Sequence, residues 1–186
     1  MSGKKKVIVP IVFVMLLIIL ISGTTYAIYT WATKEIIDGS TECFKVNYIK
    51  GQDIGSENEH KVLMPSADYT EGLYATVIVS MNSSCISNGT GTLYLNTDAT
   101  TSNILLSSGA LKYQVIENSL TLGSSGTISS TGQLTIKENF EVTTTPKQYT
   151  VIVWLDGSII TDDNASQILS STYKGSISMK IESGDL

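Results

Sequence analysis

The sequence predicts an all-β protein: one β-sandwich or jelly-roll domain over residues 42–186, preceded by an N-terminal hydrophobic helix. Three observations carry this prediction. Short runs of β-branched and aromatic residues recur along the chain, several of them alternating with polar residues. The breaks between these runs hold Gly, Asn, Asp and Ser, the residues that close turns. The longest apolar run is confined to residues 1–33, where the only charges are Lys4, Lys5 and Lys6.

The runs can be taken in order. Phe44, Val46 and Tyr48 alternate with Lys45, Asn47 and Lys50. Leu73 to Met81 is dense in Tyr74, Thr76, Val77, Ile78 and Val79. Thr92 to Leu95 is a further run, and Leu111, Tyr113 and Val115 alternate with Lys112 and Gln114. Leu134, Ile136 and Phe140 give a weaker pattern. Tyr149 to Leu155 is almost wholly apolar and reads as a central strand buried on both faces. Tyr173, Ile177, Met179 and Ile181 close the chain. Turns are expected at 88–91, 123–126, 130–132 and 156–157, giving seven or eight strands. Two short helical turns are expected, at 102–106 and at 163–169, the second capped by Asp162 or Asp163.

The N-terminus reads as an export segment. Lys4 to Lys6 precede fifteen apolar residues, Val7 to Ile21, followed by the small, weakly polar Ser22-Gly23-Thr24-Thr25-Tyr26-Ala27. A basic region, an apolar stretch and a small-residue patch are the parts of a secretory signal. Thr25 and Ala27 hold the positions before a cut that would leave Ile28 as the new N-terminus. The alternative is an uncleaved anchor over residues 7–31, long enough to span about 30 Å of hydrocarbon, with Tyr26, Tyr29 and Trp31 at the interface. Both readings leave the N-terminus inside and the bulk outside, with the membrane as a partner of this segment. Residues 28–41 read as a linker or an extended arm.

Charge narrows the partners. All twelve basic residues are Lys, and beyond Ala27 nine of them stand against seventeen acidic residues, a net −8. Nucleic-acid binding needs a basic footprint to displace counterions, so nucleic acid is excluded as an expected partner. The two cysteines, Cys43 and Cys85, form an even count in an exported domain and are expected to pair.

Catalytic signals are sparse. His60 is the only histidine, which excludes HExxH and any three-His metal centre. There is no G-x-S-x-G elbow and no phosphate-binding glycine loop. His60, between Glu57, Glu59 and Lys61, reads as a surface loop residue. Asp162-Asp163-Asn164 reads as a helix cap or solvated turn rather than a Ca²⁺ site, since it lacks the spacing of a calcium loop. Trp154-Leu155-Asp156-Gly157 reads as a buried Trp followed by a tight turn, with a ligand-facing strand end as the alternative. The sequons at Asn82, Asn88 and Asn164 read as chance in a Ser/Thr-rich surface. No enzyme activity, metal or cofactor is expected.

Several of these segments together resemble the TasA/camelysin family of bacterial envelope proteins. The similar segments are the Lys4–Lys6 signal ending in Gly23-Thr24-Thr25-Tyr26-Ala27, the Leu63-Met64-Pro65-Ser66-Ala67-Asp68-Tyr69 turn leading to Leu73–Met81 and Asn82-Ser83-Ser84, and the stretch from Asn164 through Tyr173 to Met179. The resemblance implies a jelly-roll sandwich and an extracellular structural or adhesive role. It also implies self-association or contact with other envelope proteins, with Ile28 to Ile37 as a strand lent to a neighbour. Some camelysin-type proteins are described as metalloproteases; with one histidine, this chain lacks the ligands for that role. The other functional class open to such a domain is a membrane-anchored binding module for a sugar or peptide. N-terminal sequencing of the protein from its native host is expected to start at Ile28 if the segment is a cleaved signal, and at Met1 or Ser2 if it is an anchor.

Overall fold

The computed structural model describes residues 43–58 and 62–183. The segments read as signal or anchor (1–27, apolar stretch 7–31) and as arm (28–41), with Thr25, Ala27 and Ile28, lie outside these residues, as does His60. The described chain is all-β. It forms strands β1 (Phe44–Ile49), β2 (Pro65–Ser66), β3 (Leu73–Met81), β4 (Gly89–Thr97), β5 (Leu111–Glu117), β6 (Thr121–Thr127), β7 (Gly132–Val142), β8 (Lys147–Asp156) and β9 (Gly175–Ser183). Two short helices, α1 (Asn103–Ser108) and α2 (Ala165–Leu169), and two 3₁₀ turns, Tyr69–Glu71 and Gly157–Ile159, complete it.

The strands make two sheets. The larger has the order β1-β3-β8-β5-β6, with β2 adding two parallel pairs at the end of β8; the smaller has the order β7-β4-β9. Apart from β2, all pairings between named strands are antiparallel. Alternation sets what each strand buries, because successive side chains point to opposite faces. On β8, Tyr149, Val151, Val153 and Leu155 enter the core. They meet Ala75, Val77 and Val79 of β3, Leu111 and Val115 of β5, and, from the smaller sheet, Leu93, Leu95, Ile177 and Ile181. The opposite face of β8 carries Thr150, Ile152 and Trp154. There Thr150 Oγ1 lies 3.1 Å from Thr76 Oγ1, a cross-strand pair.

Two stretches expected as turns are strand. Gly89 and Gly91 open β4 because only glycine fits there: a Cβ at Gly89 would lie 2.6 Å from the Phe44 ring, and one at Gly91 2.3 Å from the Phe140 ring. Gly123 to Gly126 lies inside β6, an edge strand. The Gln114 amide donates to the carbonyls of Gly123 and Ser124, and the Tyr113 ring covers Gly126. The turn of this hairpin is Asn118-Ser119, both at positive φ (49° and 66°). The weak pattern of β7 also has a cause. Relative to β4, its register shifts between Phe140 and Lys137 and again between Lys137 and Thr135. Asn139, at φ 53°, lies in the first bulge, and of the eleven residues of β7 only Ile136, Phe140 and Val142 are buried in the core.

The helices fall near their expected places. Helix α1 buries Leu105 and Leu106 and ends at Gly109 in the left-handed region (φ 73°). Helix α2 begins after Asn164 rather than after Asp162 or Asp163. The Asn164 side chain accepts from Thr161 N at 2.8 Å and donates to Ile159 O at 3.1 Å. An amide supplies both a donor and an acceptor, and a carboxylate lacks the donor.

Tyr149 is 2% exposed, packs on Phe140 with ring centroids 4.8 Å apart, and has its hydroxyl pKa pushed up to about 12 by burial and then by the nearby Glu117. Burial likewise raises the pKa of Tyr113 and Tyr173. An unfolded tyrosine ionises near pH 10 while the folded Tyr149 stays neutral, so its contribution is complete below pH 10 and is lost as pH rises toward 12. Urea melts of the Tyr149→Phe variant are expected to lose less stability between pH 9.5 and pH 11.5 than the wild type, with wild-type-like behaviour at pH 7.

Candidate functional site

The two ends of the sheet order differ in how they are finished. At the β6/β7 side the sheets are tied together. The Ser124 hydroxyl of β6 donates to the Ile136 carbonyl of β7. Lys137 Nζ of β7 reaches Glu117 Oε1 of β5 at 2.5 Å, with both side chains about one quarter exposed. At the β1/β9 side, Phe44 of β1 and Ile181 of β9 both pack on Gly89. The segment after β1 runs along the start of β9: Ile54 N donates to Gly175 O and Ile177 N to Gln52 O, each at 2.9 Å, and Asp53 bridges Ser176. Beyond that bridge, no strand among the described residues pairs with the outer edge of β9 or of β1. A strand edge presents unpaired N–H and C=O groups, which another extended segment can complete.

Cys43 and Cys85 are joined, as their even count predicts, with Cα atoms 5.6 Å apart. The bridge sits where the chain enters β1. Asn82 N donates to Cys43 O at 2.7 Å and Cys85 N to Asn82 O at 3.1 Å, so the loop after β3 folds back against the start of β1. The bridge therefore fixes the entry point of the edge strand against the loop after its neighbour β3. A disulfide is at home in an oxidising compartment.

The other singled-out residues are placed less close to chemistry. Glu57 is partly buried in the loop after β1, and Asp162 and Asp163 are exposed in the turn before α2. Among the described residues, no group of three His, Cys, Asp or Glu is placed to hold a metal ion. No helix among them is long and apolar enough to cross a membrane. The motif Leu63 to Tyr69 is not a simple turn. Pro65 and Ser66 pair in parallel with Leu155 and Asp156 of β8, and Asp68 caps the 3₁₀ turn by accepting from Thr70 N at 2.9 Å.

Trp154 departs from expectation. It is partly buried on the outer face of the larger sheet, not in the core. Strand parity contained this signal, since Trp154 is out of phase with Tyr149, Val151, Val153 and Leu155. The following turn is as expected: Asp156 Oδ1 accepts from Ser158 N at 3.0 Å and from its hydroxyl at 2.6 Å.

The bridge closes a loop of 42 residues in sequence, which in the chain-entropy account is worth about 4 kcal/mol. The Cys43→Ser/Cys85→Ser variant is expected to lose about that much in denaturant unfolding while keeping the β-type circular dichroism of the wild type. The wild type should gain the mass of two hydrogens on reduction.

No protein-family model and no curated protein matches the chain. Among solved structures, a family two carbohydrate esterase from Cellvibrio japonicus is similar over 76% of this chain and 34% of its own, with 8% identity and a TM-score of 0.28. The chain thus spans about a third of that protein's length, and a likeness of this size carries no argument about fold kinship or activity.

Proposed function

We propose that this chain is a non-enzymatic, exported cell-envelope protein of the TasA/camelysin type, structural or adhesive, that assembles by lending its N-terminal arm as a strand to a neighbouring copy. Residues 1–27 carry it out of the cell, and it works at the outer face of the membrane or in the surface matrix. Its partners are the membrane, through the N-terminal segment, and its own copies or other envelope proteins. It uses no cofactor.

The observation that carries this reading is the β1/β9 side of the sandwich. Two strand edges lie there with no strand partner among the described residues beyond the Asp53–Ser176 bridge, beside the point where the chain enters at Cys43. An arm of ten residues, Ile28 to Ile37, is long enough to match a strand of six to nine residues such as β1 or β9. The Cys43–Cys85 bridge supports the oxidising, exported setting. It would also let the arm move without loosening β1.

Deleting residues 28–40 is expected to abolish oligomers in size-exclusion chromatography with light scattering, while the thermal melt of the domain stays within a few degrees of the parent. Oligomers that survive the deletion unchanged would remove strand donation from the account.

A further inference from the structure

The outer face of the larger sheet mixes polar and apolar residues: Thr76, Thr150 and Gln148 stand beside Tyr74, Ile78, Ile116 and Ile152. Trp154 is the largest side chain of this face and lies near the end of β8. It stands between two hollows, one of about 210 Å³ beside Tyr69, Lys112, Ser125 and Thr127, the other of about 530 Å³ beside Ser66, Ala67, Asp156 and Ser158. Nothing in the core requires an indole at this position, because the core face of β8 is complete without it.

The surroundings are built and held. Trp154, Lys112 and Thr127 form one cross-strand row over β8, β5 and β6, and Lys112 Nζ donates to Thr127 Oγ1 at 2.8 Å. The 3₁₀ turn bearing Tyr69 is pressed against β8 through Gly72. A Cβ there would sit 2.4 Å from Ile152 Cγ2, 2.8 Å from Val153 O and 3.1 Å from Trp154 Cβ. The backbone bond from Gly72 N to Tyr69 O, 3.0 Å, closes the turn. On the other flank, β2 is laced to β8 and Asp156 is held by Ser158. Walls fixed in this way need little ordering on binding.

From this arrangement we infer that Trp154 and Tyr69 form a binding site for a neutral oligosaccharide on the outer face of the larger sheet. A pyranose ring has a face of C–H bonds, which packs on an aromatic ring, and a rim of hydroxyls, which need both donors and acceptors. Trp154 and Tyr69 supply apolar area with polar edges. Lys112, Ser125, Thr127, Ser66 and Asp156 supply donors and acceptors around them. The charge balance selects the class: one ammonium, Lys112, faces one carboxylate, Asp156, and the hollows contain no other charged side chain. An anionic or cationic ligand would find its charge half-opposed, and a neutral polyol would not. Two hollows on either side of one indole fit successive sugar units rather than one.

The site is tested with the full chain in a zwitterionic detergent, since sugar-headed detergents would compete. Cellohexaose, xylohexaose, laminarihexaose and hexa-N-acetylchitohexaose are titrated by calorimetry and by tryptophan fluorescence. At least one is expected to bind; Trp154→Ala is expected to weaken it by about tenfold or more. Trp154→Tyr, which keeps a ring, should retain most of the affinity and serves if the alanine variant is unstable. Tyr94→Ala, on the smaller sheet, should bind as the wild type does. Absence of binding by all four probes would overturn the site, as would binding that is indifferent to both Trp154 substitutions in a folded protein.

Discussion

Strand β8 has to satisfy hydrogen bonds along both edges while filling space on both faces, and the rest of the domain is arranged around that requirement. Its edges are taken by β3 and β5, and its last two residues by β2. Its inward face supplies Tyr149, Val151, Val153 and Leu155 to the core. Such a strand cannot lie at an edge without exposing both an apolar ladder and unpaired amides. The smaller sheet then follows as the lid over the inward face, with β4 at its centre and Leu93 and Leu95 fully buried.

The consequences run outward to the edges. Because β8 sits centrally, the larger sheet ends on β1 and β6, and the smaller on β7 and β9. One pair, β6/β7, is joined by Ser124 and by Lys137–Glu117. At the other, β1/β9, the backbone contact among the described residues is the Asp53–Ser176 bridge with its flanking hydrogen bonds, and Cys43–Cys85 ties the start of β1 to the loop after β3. The proposed strand donation rests on this asymmetry. The proposed sugar site lies on the outer face of β8, because the parity that sends Tyr149 and Leu155 inward sends Trp154 out.

Much of this was legible before any coordinates. Alternation marked β1 and β5, dense β-branched, aromatic and apolar runs marked β3 and β8, and the even cysteine count anticipated the bridge. What escaped notice depended on neighbours. Gly89 and Gly91 read as a turn, yet they are strand because the Phe44 and Phe140 rings occupy the space of their missing side chains. Gly123 to Gly126 read as a turn, yet the Gln114 amide and the Tyr113 ring hold it as an edge strand. Trp154 read as buried within the almost wholly apolar run Tyr149 to Leu155; its parity relative to Tyr149, Val151, Val153 and Leu155 places it outside.

The sequence by itself determined the class: an acidic, lysine-only domain of alternating strands behind one apolar segment, with two cysteines and a single histidine. Local composition suffices for that, because alternation, turn chemistry and charge are properties of adjacent residues. The order of strands in the sheets, the bulges of β7, the tied and untied edges and the Trp154 hollows were decided only by tertiary structure. Each depends on residues far apart in the chain, such as Asp53 with Ser176 or Gly91 with Phe140, meeting across a packed core. No window of sequence contains both partners of such a contact.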